Sequence, residues 1–137
     1  YSPLARRDVT RLRETLGADL PRTPAAIRAA RARIVARHWD DLAQPFRASA
    51  DFYSTSGCRD LFFHEREHQF TIPNLRQMLD AADLAFLGFA LPPAMREAFK
   101  RWVGSGADLR DLDAWWAYEQ AHPRTFSAMY TFWCRPR

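Results

Sequence analysis

The sequence is poor in lysine, glycine and cysteine, and each shortage narrows what the chain can be. Lys100 is the only lysine, so the net charge of +4 comes almost entirely from arginine. Residues 1–50 carry +5 and residues 51–137 carry −1, which is too sparse for the dense basic surface of a committed nucleic-acid binder. Five glycines leave little room for glycine-rich loops. Two cysteines, Cys58 and Cys134, make no disulfide framework, which predicts reduced thiols and a cytoplasmic protein.

Long apolar runs are also missing. No segment approaches the roughly 18 uninterrupted apolar residues of a membrane span, and no N-terminal pattern predicts a signal sequence. The length of 137 residues suits one domain or part of a larger one. With 47% hydrophobic and 14% aromatic residues, the chain can bury a sizeable core. It begins Tyr-Ser rather than Met, so we expect a trimmed chain or a piece of a longer polypeptide.

What the sequence does contain is a series of helix-start signals. Ser2-Pro3 and Thr23-Pro24 place a capping residue before a proline, and Thr71 does so two residues before Pro73. The predicted helices cover residues 3–16, 24–38, 72–82, 93–103 and 108–121. The apolar run at residues 84–91 predicts a strand buried on both faces. Residues 58–63 and 125–134 fit either a helix or a strand.

The segment HEREH, from His64 to His68, matches the H-E-x-x-H pattern of zinc proteases. That chemistry needs a continuous helix across the motif and a third metal ligand. A new helix is predicted at Thr71, so the helix around HEREH would be short, and neither His38 nor His122 extends the motif. The two histidines are therefore interpreted either as ordinary surface residues or as residues that face a substrate, with a zinc site as the weakest interpretation.

The longest informative block is Asp51–Phe89, which contains DFYSTSGCRDLFFHEREHQFTIP followed by a predicted helix and a strand that ends in FLGF. This block resembles the C-terminal part of bacterial class I S-adenosylmethionine-dependent methyltransferases, particularly those joined to tetratricopeptide repeats. Phe62 and Ile72 are conservative departures from the family pattern. The opening Tyr1–Arg6 and the closing Thr125–Trp133 look like family segments as well, so the likeness spans nearly the whole chain.

The resemblance implies a fold and a division of labour. We expect a mainly α chain with a few strands, the C-terminal portion of a Rossmann-like methyltransferase domain plus helical insertions, lacking the cofactor-binding half. It would form a single partial domain of three segments, which are a basic helical segment (1–50), the motif block with the last helix and strand (51–91) and an aromatic-rich helical segment (92–137). S-adenosylmethionine would be the cofactor of the intact enzyme, with no cofactor residue in this chain, since Gly104-Ser105-Gly106 follows no strand.

The resemblance also suggests where an acceptor would bind. The candidates for lining the acceptor site are Tyr53, His64, Glu67 and His68, and Arg59 is the candidate for holding an anionic group of the substrate. Expected partners are the upstream methyltransferase core in the same polypeptide or an acceptor substrate, either a small molecule or a protein, rather than nucleic acid or membrane.

Two alternatives come from the residues alone. The first is a stand-alone helical regulatory or interaction module that uses the basic face at residues 25–37, with Arg28, Arg31 and Arg33, on an acidic partner or nucleic acid. The second is a small zinc hydrolase that uses His64 and His68.

Overall fold

The computed structural model describes residues 1–17, 23–36, 46–47, 49–64, 67–127 and 129–137. Within them the chain is mainly helical with one small two-stranded antiparallel sheet, which confirms the coarse fold-class prediction. The α-helices are α1 (Pro3–Leu16), α2 (Pro24–Ala36), α3 (Thr55–Phe63), α4 (Ile72–Ala81), α5 (Pro93–Val103) and α6 (Leu112–Ala121), and a 3₁₀ turn covers Ala50–Tyr53. The strands are β1 (Leu84–Phe89) and β2 (Phe132–Pro136). No helix in the described ranges is long and apolar enough to cross a bilayer.

The chain forms two compact units, each with its own hydrophobic core. The N-terminal unit covers Arg6–Glu67, and the C-terminal unit combines Tyr1–Ala5 with His68–Arg137. Helix α1 therefore begins in the C-terminal unit and continues through the N-terminal unit.

The core of the N-terminal unit is built from one face of each of its helices. Leu12 and Ile34 are fully buried, and Phe46, Phe52 and Phe62 add aromatic rings that meet edge to face. Helix α2 buries Ile27, Ala30 and Ile34 along one face, whereas Val35 is 55% exposed. The predicted extension of this helix to His38 lies outside the described residues. Helix α2 packs against α3.

The core of the C-terminal unit is more aromatic. Trp115 stacks on Phe99 with ring centroids 3.7 Å apart and meets Phe89 edge to face at 5.6 Å. Helix α4 packs against both α6 and β1, and α5 packs against α6. Thr71 caps α4 as predicted, because its hydroxyl accepts from the Asn74 amide at 3.2 Å while the Asn74 side chain accepts from the Thr71 amide at 3.2 Å.

The two strands differ from the prediction of a strand buried on both faces. β1 and β2 pair in antiparallel register with an irregularity between Phe86 and Gly88. Only Phe89 of β1 is buried, while Leu87 is 42% exposed. The prediction of full burial was wrong because β1 has a single neighbouring strand among the described residues, so part of its surface stays open to solvent.

The segments that were ambiguous are now assigned. Residues 58–63 lie in α3, and the last segment becomes turns at 123–126 followed by strand β2. The predicted helix at 108–121 begins only at Leu112, where the Asp111 carboxylate accepts from the amides of Asp113 and Ala114 and so caps α6.

Candidate functional site

Tyr53 and Arg59 lie on neighbouring short helical elements of the N-terminal unit. Ser49 caps the 3₁₀ turn that contains Tyr53, and Ser54 caps α3, which contains Arg59. The Tyr53 side chain is 61% exposed and leans edge to face on buried Phe52 at 5.2 Å. The Arg59 side chain is exposed as well. Both are free to meet a ligand from solvent.

His64 and His68 do not share a helix. α3 ends at Phe63, and His64 follows it in an extended conformation with φ −60° and ψ 129°. Residues 67–71 are also non-helical, and α4 begins at Ile72. The zinc-protease pattern needs both histidines on one helix face. Glu65 and Arg66 lie outside the described residues, and the described backbone on either side of them does not supply that geometry. Among the described residues, no three His, Cys, Asp or Glu side chains form a group that could hold a metal ion.

Glu67 lies in a partly buried charge cluster with two arginines of α1. Its carboxylate forms an ion pair with Arg6 and lies 3.8 Å from the Arg13 guanidinium. Arg6 also donates to the Leu61 carbonyl at 2.9 Å, and Arg13 donates to the Phe62 carbonyl. The last carbonyls of a helix have no partner within the helix, so these arginines satisfy the end of α3 while they hold Glu67.

The structure divides the predicted acceptor residues between the two units. Tyr53, Arg59, His64 and Glu67 belong to the N-terminal unit, whereas His68 is the first residue of the C-terminal unit after the crossover. The His68 side chain is exposed, and its carbonyl accepts a hydrogen bond from the Tyr1 nitrogen at 3.0 Å.

The basic face of α2 is partly used inside the N-terminal unit. Arg31 donates to the Tyr53 carbonyl at 2.5 Å, and Arg33 donates to the Leu16 carbonyl at 3.1 Å. These two arginines therefore tie α2 to the 3₁₀ turn and to the end of α1. Of the three arginines, Arg28 alone is exposed and makes no such bond in the described part of the chain. This favours a structural role for the face.

The sequence analysis missed a buried polar cluster in the C-terminal unit. Glu119 is fully buried on α6, where its carboxylate accepts from the Ser2 hydroxyl and, through both oxygens at 2.8 Å, from the Tyr130 hydroxyl. Burial raises the pKa of Glu119, and the two hydroxyl donors offset part of that rise. Burial also raises the pKa of Tyr130. No spacing signal links Ser2 to Glu119, because they are 117 positions apart.

A cavity of about 700 Å³ in the C-terminal unit was missed as well. Its lining includes Gly88, Arg96, Trp115 and Trp133, and none of the predicted acceptor residues contributes to it. The one sequence signal for it was the glycine inside the apolar run of β1, because a glycine in a strand often marks a bulge or a close approach.

Both cysteines are free thiols with different surroundings. Cys58 is buried in the core of the N-terminal unit, and that burial raises the pKa of its thiol. Cys134 is exposed on β2. A raised pKa disfavours the reactive thiolate, so Cys58 acts as a small core residue.

Comparisons of the chain with protein-family models, with curated proteins and with solved structures find no match. The assignment of a function therefore depends on the residues of the motif block and on the geometry of the two units.

Proposed function

We propose that this chain is the acceptor-side, C-terminal portion of an S-adenosylmethionine-dependent methyltransferase of Rossmann-like fold. The observation that carries the proposal is the resemblance of Asp51–Phe89, in which a motif block is followed by a helix and then by a strand ending in FLGF. The succession of α4 and β1 in the C-terminal unit agrees with that order.

The open sheet gives further support. A two-stranded sheet is marginally stable by itself, and large doubly wound folds commonly carry an antiparallel strand at the edge of a parallel sheet. Among the described residues, β1 and β2 pair only with each other. Their outer edges are where strands of a larger sheet would add.

The residues that the structure describes do not fit the cofactor itself. Nucleotide cofactors in Rossmann-like folds bind at a glycine-rich turn between a strand and a helix. Gly104-Ser105-Gly106 instead follows helix α5, and no strand precedes it directly. The proposal therefore assigns cofactor binding to residues upstream of Tyr1 and gives this chain the task of positioning the acceptor.

The exposed side chains of the motif block suit that task. Histidine can serve as a general base toward a nucleophile, which would be the role of His64 and His68, and Arg59 can hold an anionic group through its guanidinium. Glu67 takes a different role from the one predicted by the resemblance. Since its carboxylate is held by Arg6 and Arg13, it anchors the segment rather than accepting a proton.

Calorimetric titration with S-adenosylmethionine tests the proposal. We expect no heat of binding for the 137-residue chain up to about 1 mM ligand, and micromolar binding for the complete polypeptide encoded by the gene. Micromolar binding by the chain alone contradicts the proposal, and so does a complete polypeptide that does not bind.

A second arm of that experiment addresses the acceptor residues in the complete polypeptide. The double variant His64→Gln, His68→Gln should keep its affinity for S-adenosylmethionine while its turnover to S-adenosylhomocysteine falls by about tenfold or more. His122→Gln is the matched control, because His122 is exposed at the end of α6 and lies outside the motif block. An equal loss in the control means that the motif histidines have no special role.

A further inference from the structure

The cavity in the C-terminal unit lies where β1 ends. Its lining includes Leu87 and Gly88 from the strand, Leu91 from the segment that follows, Arg96 from α5, Trp115 from α6 and Trp133 from β2. Its volume of about 700 Å³ falls within the range of small-molecule sites. All of these residues belong to the same compact unit.

The inner wall of the cavity is fixed before any ligand arrives. Trp115 is 1% exposed, and its indole nitrogen donates to the Leu109 carbonyl at 2.9 Å. The ring is further held by stacking on Phe99 and by the edge of Phe89. A wall whose rotamer is locked in this way costs a ligand little reorganisation.

Gly88 keeps the strand side of the cavity open. It lies opposite Trp133 in the sheet register and has φ +140°, a conformation that favours glycine. A β-carbon at this position would meet only the Leu109 carbonyl oxygen, at 3.9 Å. Gly88 therefore puts no side chain into the cavity opposite Trp133, and the space at this position stays open.

The outer rim combines exposed apolar surface with one positive charge. Trp133 is 70% exposed and Leu87 is 42% exposed. Arg96 is the charged residue of the lining. Its guanidinium makes no hydrogen bond or ion pair in the described part of the chain, although its charge contributes to the lowered pKa of the neighbouring Glu97. A large indole in water is apolar area that a ligand can cover, and a guanidinium presents a fork that matches a carboxylate.

We propose that this cavity is a binding site for a flat, mainly apolar carboxylate. The ring system of the ligand lies over Gly88 against Trp133, and its carboxylate meets Arg96 at the rim. The charge of Arg96 favours an anion over a neutral compound, and the aromatic walls favour a planar ring over an aliphatic chain. The proposal does not rest on the methyltransferase assignment, because it uses none of the predicted acceptor residues.

The test compares 2-naphthoate with its neutral isostere 2-naphthamide by calorimetry on the unaltered chain. We expect 2-naphthoate to bind with a Kd of about 10–100 µM and the amide to bind about tenfold more weakly. Equal affinity for the two compounds, or no binding of the acid at about 1 mM, overturns the proposal.

Variants locate the site. Arg96→Gln should remove the difference between acid and amide, whereas Arg101→Gln, on an exposed position of the same helix outside the lining, should preserve it. Trp133→Ala should weaken both compounds by about tenfold, and Trp102→Ala, which removes a half-exposed indole outside the lining, should not. Naphthoate binding that is unchanged in Arg96→Gln and Trp133→Ala places the ligand elsewhere and overturns the assignment.

A second copy of the chain is the competing occupant. We expect that the unaltered chain forms no Trp133-dependent dimer, so the unaltered chain and Trp133→Ala should show the same oligomeric state in sedimentation velocity. A Trp133-dependent dimer that excludes 2-naphthoate would identify this cavity as an interface between copies and so overturn the small-molecule site. Circular dichroism of each variant confirms its fold, and Arg96→Gln, a change at an exposed position, keeps the test decisive if Trp133→Ala does not fold.

Discussion

Among single residues, Glu119 carries the most unusual chemistry in the C-terminal unit. A buried carboxyl group is costly unless its oxygens find hydrogen-bond partners. Ser2 satisfies one oxygen and Tyr130 contacts both. The Ser2 hydroxyl also accepts from the amides of Leu4 and Ala5. Ser2 therefore caps the start of α1 and donates a hydrogen bond to Glu119. These bonds tie the first residues of the chain to α6 within the same unit.

The raised pKa of Glu119 predicts a pH-dependent stability. A carboxyl whose pKa is higher in the folded state binds more protons there than in the unfolded state. The stability that this carboxyl contributes is therefore fully present below its ordinary pKa of 4.5, and it is lost as the pH rises through the folded-state pKa. We expect the urea midpoint of the chain to decrease over that range, and we expect Glu119→Gln, which stays neutral, to lose this decrease.

Two variants separate charge from packing at the same position. Tyr130→Phe removes one hydroxyl donor and should cost about 1 kcal/mol of stability, while Glu119→Ala leaves two hydroxyls without their acceptor and should cost about 2–4 kcal/mol. Glu97→Gln is the control, because Glu97 is an exposed glutamate paired with Lys100. The same pH profile in Glu119→Gln and in the unaltered chain would contradict a role for this carboxyl.

At the scale of elements, α4 offers the cleanest test of a local signal. Its capping box joins Thr71 and Asn74 by reciprocal hydrogen bonds, and a cap of this kind contributes about 1 kcal/mol. Thr71→Ala should lower the free energy of unfolding by that amount, measured by urea denaturation. Ser105→Ala, an exposed change in the loop after α5, should have no effect. Equal stability of both variants would mean that packing of Leu75 and Leu79, rather than the cap, holds the start of this helix.

Local chemistry explains why the helix starts were predictable. Ser2-Pro3, Thr23-Pro24 and Thr71 each specify a start through contacts within three or four residues, and the structure begins helices at Pro3, Pro24 and Ile72. Residues 58–63 were ambiguous because they do not contain the cap of their own helix. That cap is Ser54, four residues upstream of Cys58, and its hydroxyl accepts from the Gly57 amide.

Interactions between distant positions explain what the sequence did not reveal. The exposure of β1 depends on how many strands surround it, and the site at Glu119 depends on residues at both ends of the chain. Glu67 shows the same limit, since its partner Arg6 lies 61 positions away and turns a predicted substrate contact into a structural ion pair. The motif block indicated candidate site residues, but it did not indicate what each side chain contacts.

At the scale of the whole molecule, the two units use their charges differently. In the N-terminal unit, backbone carbonyls of neighbouring elements accept hydrogen bonds from Arg6, Arg13, Arg31 and Arg33. In the C-terminal unit, exposed pairs such as Arg76 with Asp113 at 2.9 Å lie on the surface, where an ion pair contributes little. These four arginines therefore connect helical elements of the N-terminal unit, which agrees with a sequence too sparse in basic residues for a dense basic surface.

The open edges of the sheet give the last prediction, which concerns the chain as part of a longer polypeptide. Edge strands expose amides and carbonyls that neighbouring strands can pair with, and β2 has only β1 as its neighbour among the described residues. If the chain completes a larger methyltransferase sheet, hydrogen exchange of the β1 and β2 amides should slow by about tenfold or more in the complete polypeptide compared with the 137-residue chain. Amides of α5 provide the internal control, because α5 packs on α6 within the same unit and should exchange equally in both. Mass spectrometry of the peptides that cover 84–89 and 132–135 makes the comparison. Equal exchange in both proteins would mean that no strand joins this sheet, and the methyltransferase proposal would lose its structural support.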